Sequence, residues 1–380
     1  MVASARTEPR GSMAMELTIG DPTLMARLER GMDASEERLR ALATEARDPY
    51  VAEVAGHLFG RGGKRLRPLL ALVGAEFGER CPERRPERRP AAADPSAAGA
   101  SATGTGATDP SATDLSATDA PAAVDAAALA ELVHVASLFH DDVMDQGLTR
   151  RGVPSVNARW GNTTAVLAGN WLLSKAAQLA AELGPETIRL QSKVTNRLIM
   201  GQIRELVGPS DDDDPLSHYF TVVAGKTAAL IAMALQLGAV RTGAPDRIVQ
   251  ALAEYGEHLG IAFQISDDIL DVTSTSEVSG KEQGKDLAIG VASLPVLLAL
   301  ADERPEAGEL RALLTAATAA EGTGLPKAVA LLHRCGALAE ARTVLHARLL
   351  RARTALNGLP DGPATQVLHA LCDFVARRDH

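Results

Sequence analysis

The residues of this chain best suited to chemistry are two sets of aspartates. Residues 140–145 read His-Asp-Asp-Val-Met-Asp, and residues 267–271 read Asp-Asp-Ile-Leu-Asp. Both contain D-D-x-x-D, and both sit within apolar sequence of helical periodicity. Positions i and i+4 of a helix share one face, about 6 Å apart. Asp141 therefore points with Asp145, and Asp267 with Asp271. Like charges at that spacing destabilise a bare helix, so each cluster needs a counter-charge. Carboxylate oxygens without His or Cys suit a hard divalent cation such as Mg²⁺. One acidic pair could equally be a solvated helix face, but two copies on apolar helices do not fit that description. Asp211–Asp214 is the contrast: it lies between Pro209 and Pro215 with no apolar helical frame, and reads as a solvated loop.

Mg²⁺ held by few carboxylates shares its coordination with phosphate oxygens. The chain should then carry cations for those phosphates, and it does. Lys64, Arg65 and Arg67 lie in a Gly-rich loop entering a helix, where free backbone N–H groups also favour anions. Arg150-Arg151 follows the first Asp cluster, Lys226-Thr227 reads as the opening of an apolar helix, and Lys281 and Lys285 follow the second cluster. Each alone reads as a surface charge; their placement beside the aspartates is what gives them weight. His134 precedes Asp141 by seven residues, within about 20° of the same helix face. It can be a half-buried polar residue or a hydrogen-bond donor to a bound diphosphate.

The elements that must position these groups are helices. Aromatic residues make up 3% of the 380 residues while 46% are hydrophobic, and the Ala and Leu that dominate favour helix over strand. Apolar positions recur at helical spacing from Pro22 to Leu58, and again from Ala127 to the end. Breaks fall at Gly147–Pro154, Gly184-Pro185, Gly208–Pro215, Gly243–Pro245, Thr273–Gly284, Glu303–Gly308, Glu321–Pro326 and Gly358–Pro363. Residues 1–20 read as a flexible leader. Residues 82–124, rich in Ala, Ser, Thr, Pro, Gly and Asp, bury too little to offset their ordering entropy and read as a disordered insertion. The expectation is one all-α domain over 21–380, interrupted once.

Charge and cysteines narrow the function classes. The net charge of −9, with no long basic stretch, argues against a nucleic-acid partner. Cys81, Cys335 and Cys372 have no metal-ligand spacing and suit a reducing, cytoplasmic compartment. No apolar run is expected to reach the roughly 18 residues of a membrane span.

Taken in order, Gly62-Gly63-Lys64-Arg65-Leu66-Arg67-Pro68, Glu131-Leu-Val-His134, His140-Asp-Asp-Val-Met-Asp145, Arg150-Arg151-Gly152, Gly225-Lys226-Thr227 and Phe263-Gln264-Ile-Ser-Asp267-Asp268-Ile-Leu-Asp271 resemble the trans-isoprenyl diphosphate synthases, or polyprenyl synthetases. The resemblance runs from about residue 25 to the C-terminus, outside the insertion. It implies a helical bundle around a central cavity, usually a homodimer. It implies that Asp141, Asp145 and Asp267 bind Mg²⁺, two or three ions together with diphosphate. Both whole motifs (Asp141, Asp142, Asp145, Asp267, Asp268, Asp271), with Lys226, are then catalytic. It further implies that Lys64, Arg67, His134 and Arg151 hold isopentenyl diphosphate, while Arg150, Lys226, Thr227, Gln264 and Lys281 serve the allylic diphosphate. The sequence departs from many relatives at Gly290-Val291, where they carry Gly-Lys.

The implied reaction is head-to-tail condensation of isopentenyl diphosphate with an allylic diphosphate. Val133, Ala136 and Ser137 lie just before the first Asp cluster and are small enough to leave room for a growing chain. The wording around that motif resembles bacterial medium- and long-chain enzymes that make quinone side chains. The nearest alternative is a geranylgeranyl or farnesyl diphosphate synthase, the same chemistry stopped earlier. A class I terpene cyclase fits less well, because the second site is Asp-rich and Lys64 and Arg67 are present. A non-catalytic partner subunit fits less well because both Asp motifs are intact. A lipophilic product is compatible with peripheral membrane contact.

Overall fold

The computed structural model describes residues 20–61, 63, 65–78, 121–273, 287, 292–302, 305–317 and 325–378. Residues 1–19 of the leader, most of the 82–124 stretch, Lys64, Lys281, Lys285, Gly290 and Val291 lie outside the described residues.

The described chain is a helical bundle, as expected. Its elements are α1 (Pro22–Thr44), α2 (Pro49–Ala55), α3 (Leu66–Ala75), α4 (Pro121–Met144), β1 (Thr149–Arg150), β2 (Val153–Pro154), α5 (Val156–Trp160), α6 (Asn162–Leu183) and α7 (Pro185–Val207). They continue with α8 (Pro215–Val223), a π-helical turn (Ala224–Ala228), α9 (Ala229–Arg241), α10 (Asp246–Thr273), α11 (Leu294–Ala301), α12 (Pro305–Ala317), α13 (Leu325–Arg334), α14 (Ala337–Leu356) and α15 (Pro363–Arg377). β1 and β2 form a two-residue antiparallel pair, Arg150 opposite Val153.

Local chemistry explains many of the boundaries. Asp21 caps α1 by accepting from the backbone of Thr23 and Leu24, with Pro22 in the first turn. Asp48 caps α2 by the same device. The helical pattern read as continuous from Pro22 to Leu58 is therefore two helices, split at Asp48-Pro49. α4 begins at Pro121, inside the stretch assigned to the insertion, because Ala123 is already packed into the core.

The core is built on α4, α9 and α10. α4 packs on α1, α3, α6 and α9, while α10 packs on α9 and α14. α3 and α9 approach backbone to backbone at Gly74 and Gly238: a Cβ on Gly238 would lie 1.8 Å from the Ala71 carbonyl oxygen. The expectation about membrane-length apolar runs is corrected. Pro121–Met144 and Pro215–Arg241 are long and apolar enough to cross a membrane by length and composition alone. About two-thirds of each apolar window is instead buried inside the bundle. α4 is apolar nearly all round because other helices surround it.

Candidate active site

The first Asp cluster closes α4. Asp141 is buried, and the Asp145 N–H, one residue past the helix, still donates to the Asp141 carbonyl at 2.8 Å. Burial pushes the Asp141 carboxyl up to about 6, and Asp145 adds to the rise while Lys226 opposes it. Among the described residues no three His, Cys, Asp or Glu converge as a ready-made metal cage. A buried carboxylate short of positive charge, with Asp145 and Glu205 near it, nonetheless fits a cation that completes its shell with phosphate oxygens.

Asp142 has a different surrounding. Its side chain is fully buried, and its Oδ1 accepts from Arg150 Nε at 2.9 Å and from the second guanidinium arm at 2.6 Å. Its carbonyl accepts from the Gly147 N–H and from Asn157 Nδ2, which pins the turn after α4. Asp142 and Arg150 are thus brought together as a pair that holds the β1–β2 hairpin to the end of α4.

Arg151, the next residue, turns the other way. It has a left-handed backbone (φ 54°) and donates to Glu131 Oε1 at 2.8 Å. Arg65, at the start of α3, is also left-handed (φ 47°) and donates to the same oxygen at 2.5 Å. Among the described residues the non-glycine positive φ angles are Arg65, Gln146 and Arg151, all in or next to the segments that carry these charges. Glu131 is 1% exposed, yet its carboxyl is held down to about 2. Burial alone would raise it; Arg151, His134 and Arg65 overcome that.

Arg67 joins Arg65 and Arg151 beside Glu131, and Arg65 also pairs with Glu36 at 3.2 Å. Burial lowers it to about 10, and its buried Nε has no hydrogen-bond partner. Burial and Arg67 together hold His134 well below the ordinary histidine range, so it is neutral and can donate one hydrogen bond. His134 thus belongs to the arginine cluster. An unsatisfied buried donor beside these guanidiniums is what a bound anion would use.

The second Asp motif lies on α10. Asp268 is buried: Tyr219 donates to its Oδ2 at 2.7 Å, the Leu294 N–H at 2.9 Å, and Gln264 Nε2 to its Oδ1 at 3.0 Å. Asp267, by contrast, is partly exposed and accepts from Arg378 at 2.6 Å. Arg378 lies 4.5 Å over the Phe263 ring and 5.8 Å over Phe374. Sequence reasoning missed Arg378, since it follows Asp267 by more than a hundred residues and belongs to no motif.

The π-helical turn joins the two motifs. Lys226 does not open a helix as the sequence suggested; it sits in the middle of one. A Cβ on Gly225 would lie 2.8 Å from the Arg197 carbonyl oxygen and 3.1 Å from Gly201 Cα, so α7 presses directly on the turn. Lys226 pairs with Glu205 and lies near Asp141, and those charges raise its ammonium although burial lowers it. The next residue, Thr227, donates to Gln264 at 3.0 Å. Consecutive residues of one turn thus lie near Asp141 and bond Gln264, which itself donates to Asp268.

Val133 and Ala136 are fully enclosed, while Ser137 is half-buried with its hydroxyl donating to the His134 carbonyl. Of the three small residues, Ser137 is the one with open space beside it.

The polyprenyl synthetase family matches residues 48–332. The chain belongs to the polyprenyl synthetase family. It is 36% identical over 360 residues to a nonaprenyl diphosphate synthase of Mycobacterium tuberculosis, covering 95% of this chain and 96% of that protein. A decaprenyl diphosphate synthase structure from Rhodobacter capsulatus superposes with TM-score 0.76 at 31% identity, covering 94% and 99%. A geranylgeranyl pyrophosphate synthase of Corynebacterium glutamicum, complexed with calcium and isoprenyl diphosphate, has TM-score 0.76 at 33% identity, covering 95% and 99%. Membership in the polyprenyl synthetases makes this chain a prenyltransferase.

Proposed function

We propose that this polyprenyl synthetase condenses isopentenyl diphosphate with an allylic diphosphate, in the presence of Mg²⁺, to an all-trans medium- or long-chain polyprenyl diphosphate. The observation that carries this reading is the π-helical turn, whose Lys226 lies near Asp141 and Asp145 while Thr227 donates to Gln264, which in turn donates to Asp268. Two acidic motifs and one cation there face a single leaving group. The arginine cluster of Arg67, Arg151 and neutral His134 supports a second diphosphate without metal.

Asp141, Asp145 and Asp267 would hold Mg²⁺, which supplies charge neutralisation on the departing diphosphate. Lys226 adds a fixed positive charge beside it. The allylic C–O bond breaks with its electron pair on diphosphate, the isopentenyl π electrons form the new C–C bond, and one proton is lost. Arg67, Arg151 and His134 orient the isopentenyl diphosphate, which turns an encounter into an aligned attack. The apolar wall of α4 excludes water from the cation.

Two finer points belong to the same reading. α7 exposes Ile199, Ile203, Leu206 and Val207, and α6 exposes Val166 and Leu167. An apolar face of this kind supports pairing with a second copy of the chain, and light scattering tests it. Buried free thiols at Cys335 and Cys372 suit the cytoplasm. The decisive experiment incubates purified protein with Mg²⁺, labelled isopentenyl diphosphate and farnesyl diphosphate, and separates products by length. Products of six or more isoprene units support the assignment, and termination at four replaces it with a geranylgeranyl synthase.

A further inference from the structure

A second concave site lies outside the cleft, between α7, α8, the π-helical turn, α10 and α14. It is an open groove of about 420 Å³, a volume within the range of small-molecule sites. Three guanidiniums line it: Arg197 and Arg204 from α7, and Arg348 from α14. Met200, Phe220 and Ile261 supply its apolar lining.

The charges are unevenly satisfied. Arg197 is occupied by Glu257, at 2.8 and 3.2 Å. Neither Arg204 nor Arg348 has an ion-pair partner among the described residues, and Arg348 lies 4.8 Å over the Phe220 ring. Burial and the adjacent Arg351 push Arg348 below its ordinary range, and burial with Arg348 and Arg351 does the same to His258. Glu257 also lies near Arg348 and Asp213 near Arg204, yet neither arginine is tied up in an ion pair, and an aromatic ring lies under Arg348. An anion alone would use the arginines and leave the apolar lining wet. A molecule with an anionic head and a hydrocarbon tail uses both.

The site is centred on a different side of α7 from most of the surface offered above for pairing. At 100° per residue, Arg197, Gly201 and Arg204 centre about 160° round α7 from Ile199, Ile203 and Leu206, while Val207 falls about 60° from Arg204. A dimer built on Ile199, Ile203 and Leu206 faces away from the two guanidiniums of α7. Gly225, which also lines the groove, is the residue before Lys226. An occupant would press on the turn that carries the catalytic-side lysine.

We propose that this groove is a second, metal-independent binding site for a prenyl diphosphate, its diphosphate on Arg204 and Arg348 and its hydrocarbon across Phe220, Met200 and Ile261. The proposal rests on the functional reading above for the identity of the ligand class. The contrast with the cleft is chemical: the acidic motifs need a cation to accept an anion, whereas arginines do not.

The test uses the full chain in excess chelator, where no turnover occurs, with isopentenyl diphosphate saturating the Arg67 cluster. The unreactive thiolo analogue of farnesyl diphosphate is titrated by calorimetry. The expected result is one bound analogue per chain, retained in Asp141→Asn/Asp267→Asn and weakened at least tenfold in Arg204→Gln/Arg348→Gln. The single variant Arg204→Gln, at an exposed position, guards against misfolding of the double variant and should weaken binding at least threefold. Inorganic diphosphate should bind at least tenfold more weakly than the analogue. Equal affinity would show a plain anion site and overturn the prenyl assignment. No binding to the unaltered chain, or binding indifferent to both arginine variants, would overturn the site itself. Failure of the proposed function would show separately, as absence of product with Mg²⁺ at low substrate, where Arg204→Gln/Arg348→Gln should match the unaltered enzyme within twofold.

Discussion

Glu131→Gln tests how much the buried carboxylate between Arg65 and Arg151 contributes to the fold. Glu131 is 1% exposed and takes Arg65 and Arg151 on a single oxygen, at 2.5 and 2.8 Å. Its carboxyl is held down from 4.5 to about 2. A tenfold change in proton affinity is about 1.4 kcal/mol, so that fall links to about 3 kcal/mol of folding stability. Removing one member of a buried ion pair costs about 3–5 kcal/mol by an independent route, because the remaining charges are stranded. The two figures agree, and we expect a loss of about 3 kcal/mol at pH 7. The sign follows from the direction of the shift. A lowered carboxyl stabilises fully above its unfolded value of 4.5, and the contribution is lost as pH falls through about 2. The gap between the two proteins should therefore shrink by more than half between pH 7 and pH 3. The assay is urea unfolding followed by circular dichroism at both pH values. A loss under about 1 kcal/mol at pH 7, or a gap that does not narrow in acid, would refute the reasoning.

Asp141→Ala or Asp267→Ala should lower turnover at least about a hundredfold, the scale of losing one preorganised electrostatic group; activity persisting in excess chelator would exclude the metal reading. Ser137→Phe should shorten the products, read by chromatography after full conversion, because its side chain is half-buried with space beside it. Ala136→Phe should instead destabilise the fold by about 1–3 kcal/mol in thermal or urea unfolding, because Ala136 is enclosed on every side. Arg378→Ala removes a cation from Asp267, a partly exposed pair worth under about 1 kcal/mol. Mg²⁺ titrated calorimetrically in the presence of a diphosphate analogue should bind a few-fold more tightly, and unchanged affinity would mean that Arg378 leaves the site before metal enters.

Much of the candidate site was legible because its parts are local. Asp141 with Asp145, and Asp267 with Asp271, share faces by helical period alone, and a Gly-rich basic loop before a helix marks candidate anion-binding residues within a short stretch. The split at Asp48-Pro49 was equally local: an Asp cap followed by Pro is a helix start that the apolar period had masked. The beginning of α4 was placed too late for a related reason, since composition marks where a chain cannot build a core, and not where one Ala is captured by a neighbour's.

Sequence alone determined the helical class, the two acidic motifs, the cationic residues beside them and the family they resemble, because each depends on period, composition or short spacing. Tertiary structure decided which charges meet. Asp142 with Arg150, Glu131 with Arg65 and Arg151, and Asp267 with Arg378 are pairs that no spacing predicts. It also decided that Lys226 stands in a π-helical turn, against which α7 packs closely where Gly201 meets Gly225. Ion pairs across tens or hundreds of residues depend on how helices stack, and stacking is set by the shapes of many side chains at once. No short stretch of sequence carries that information.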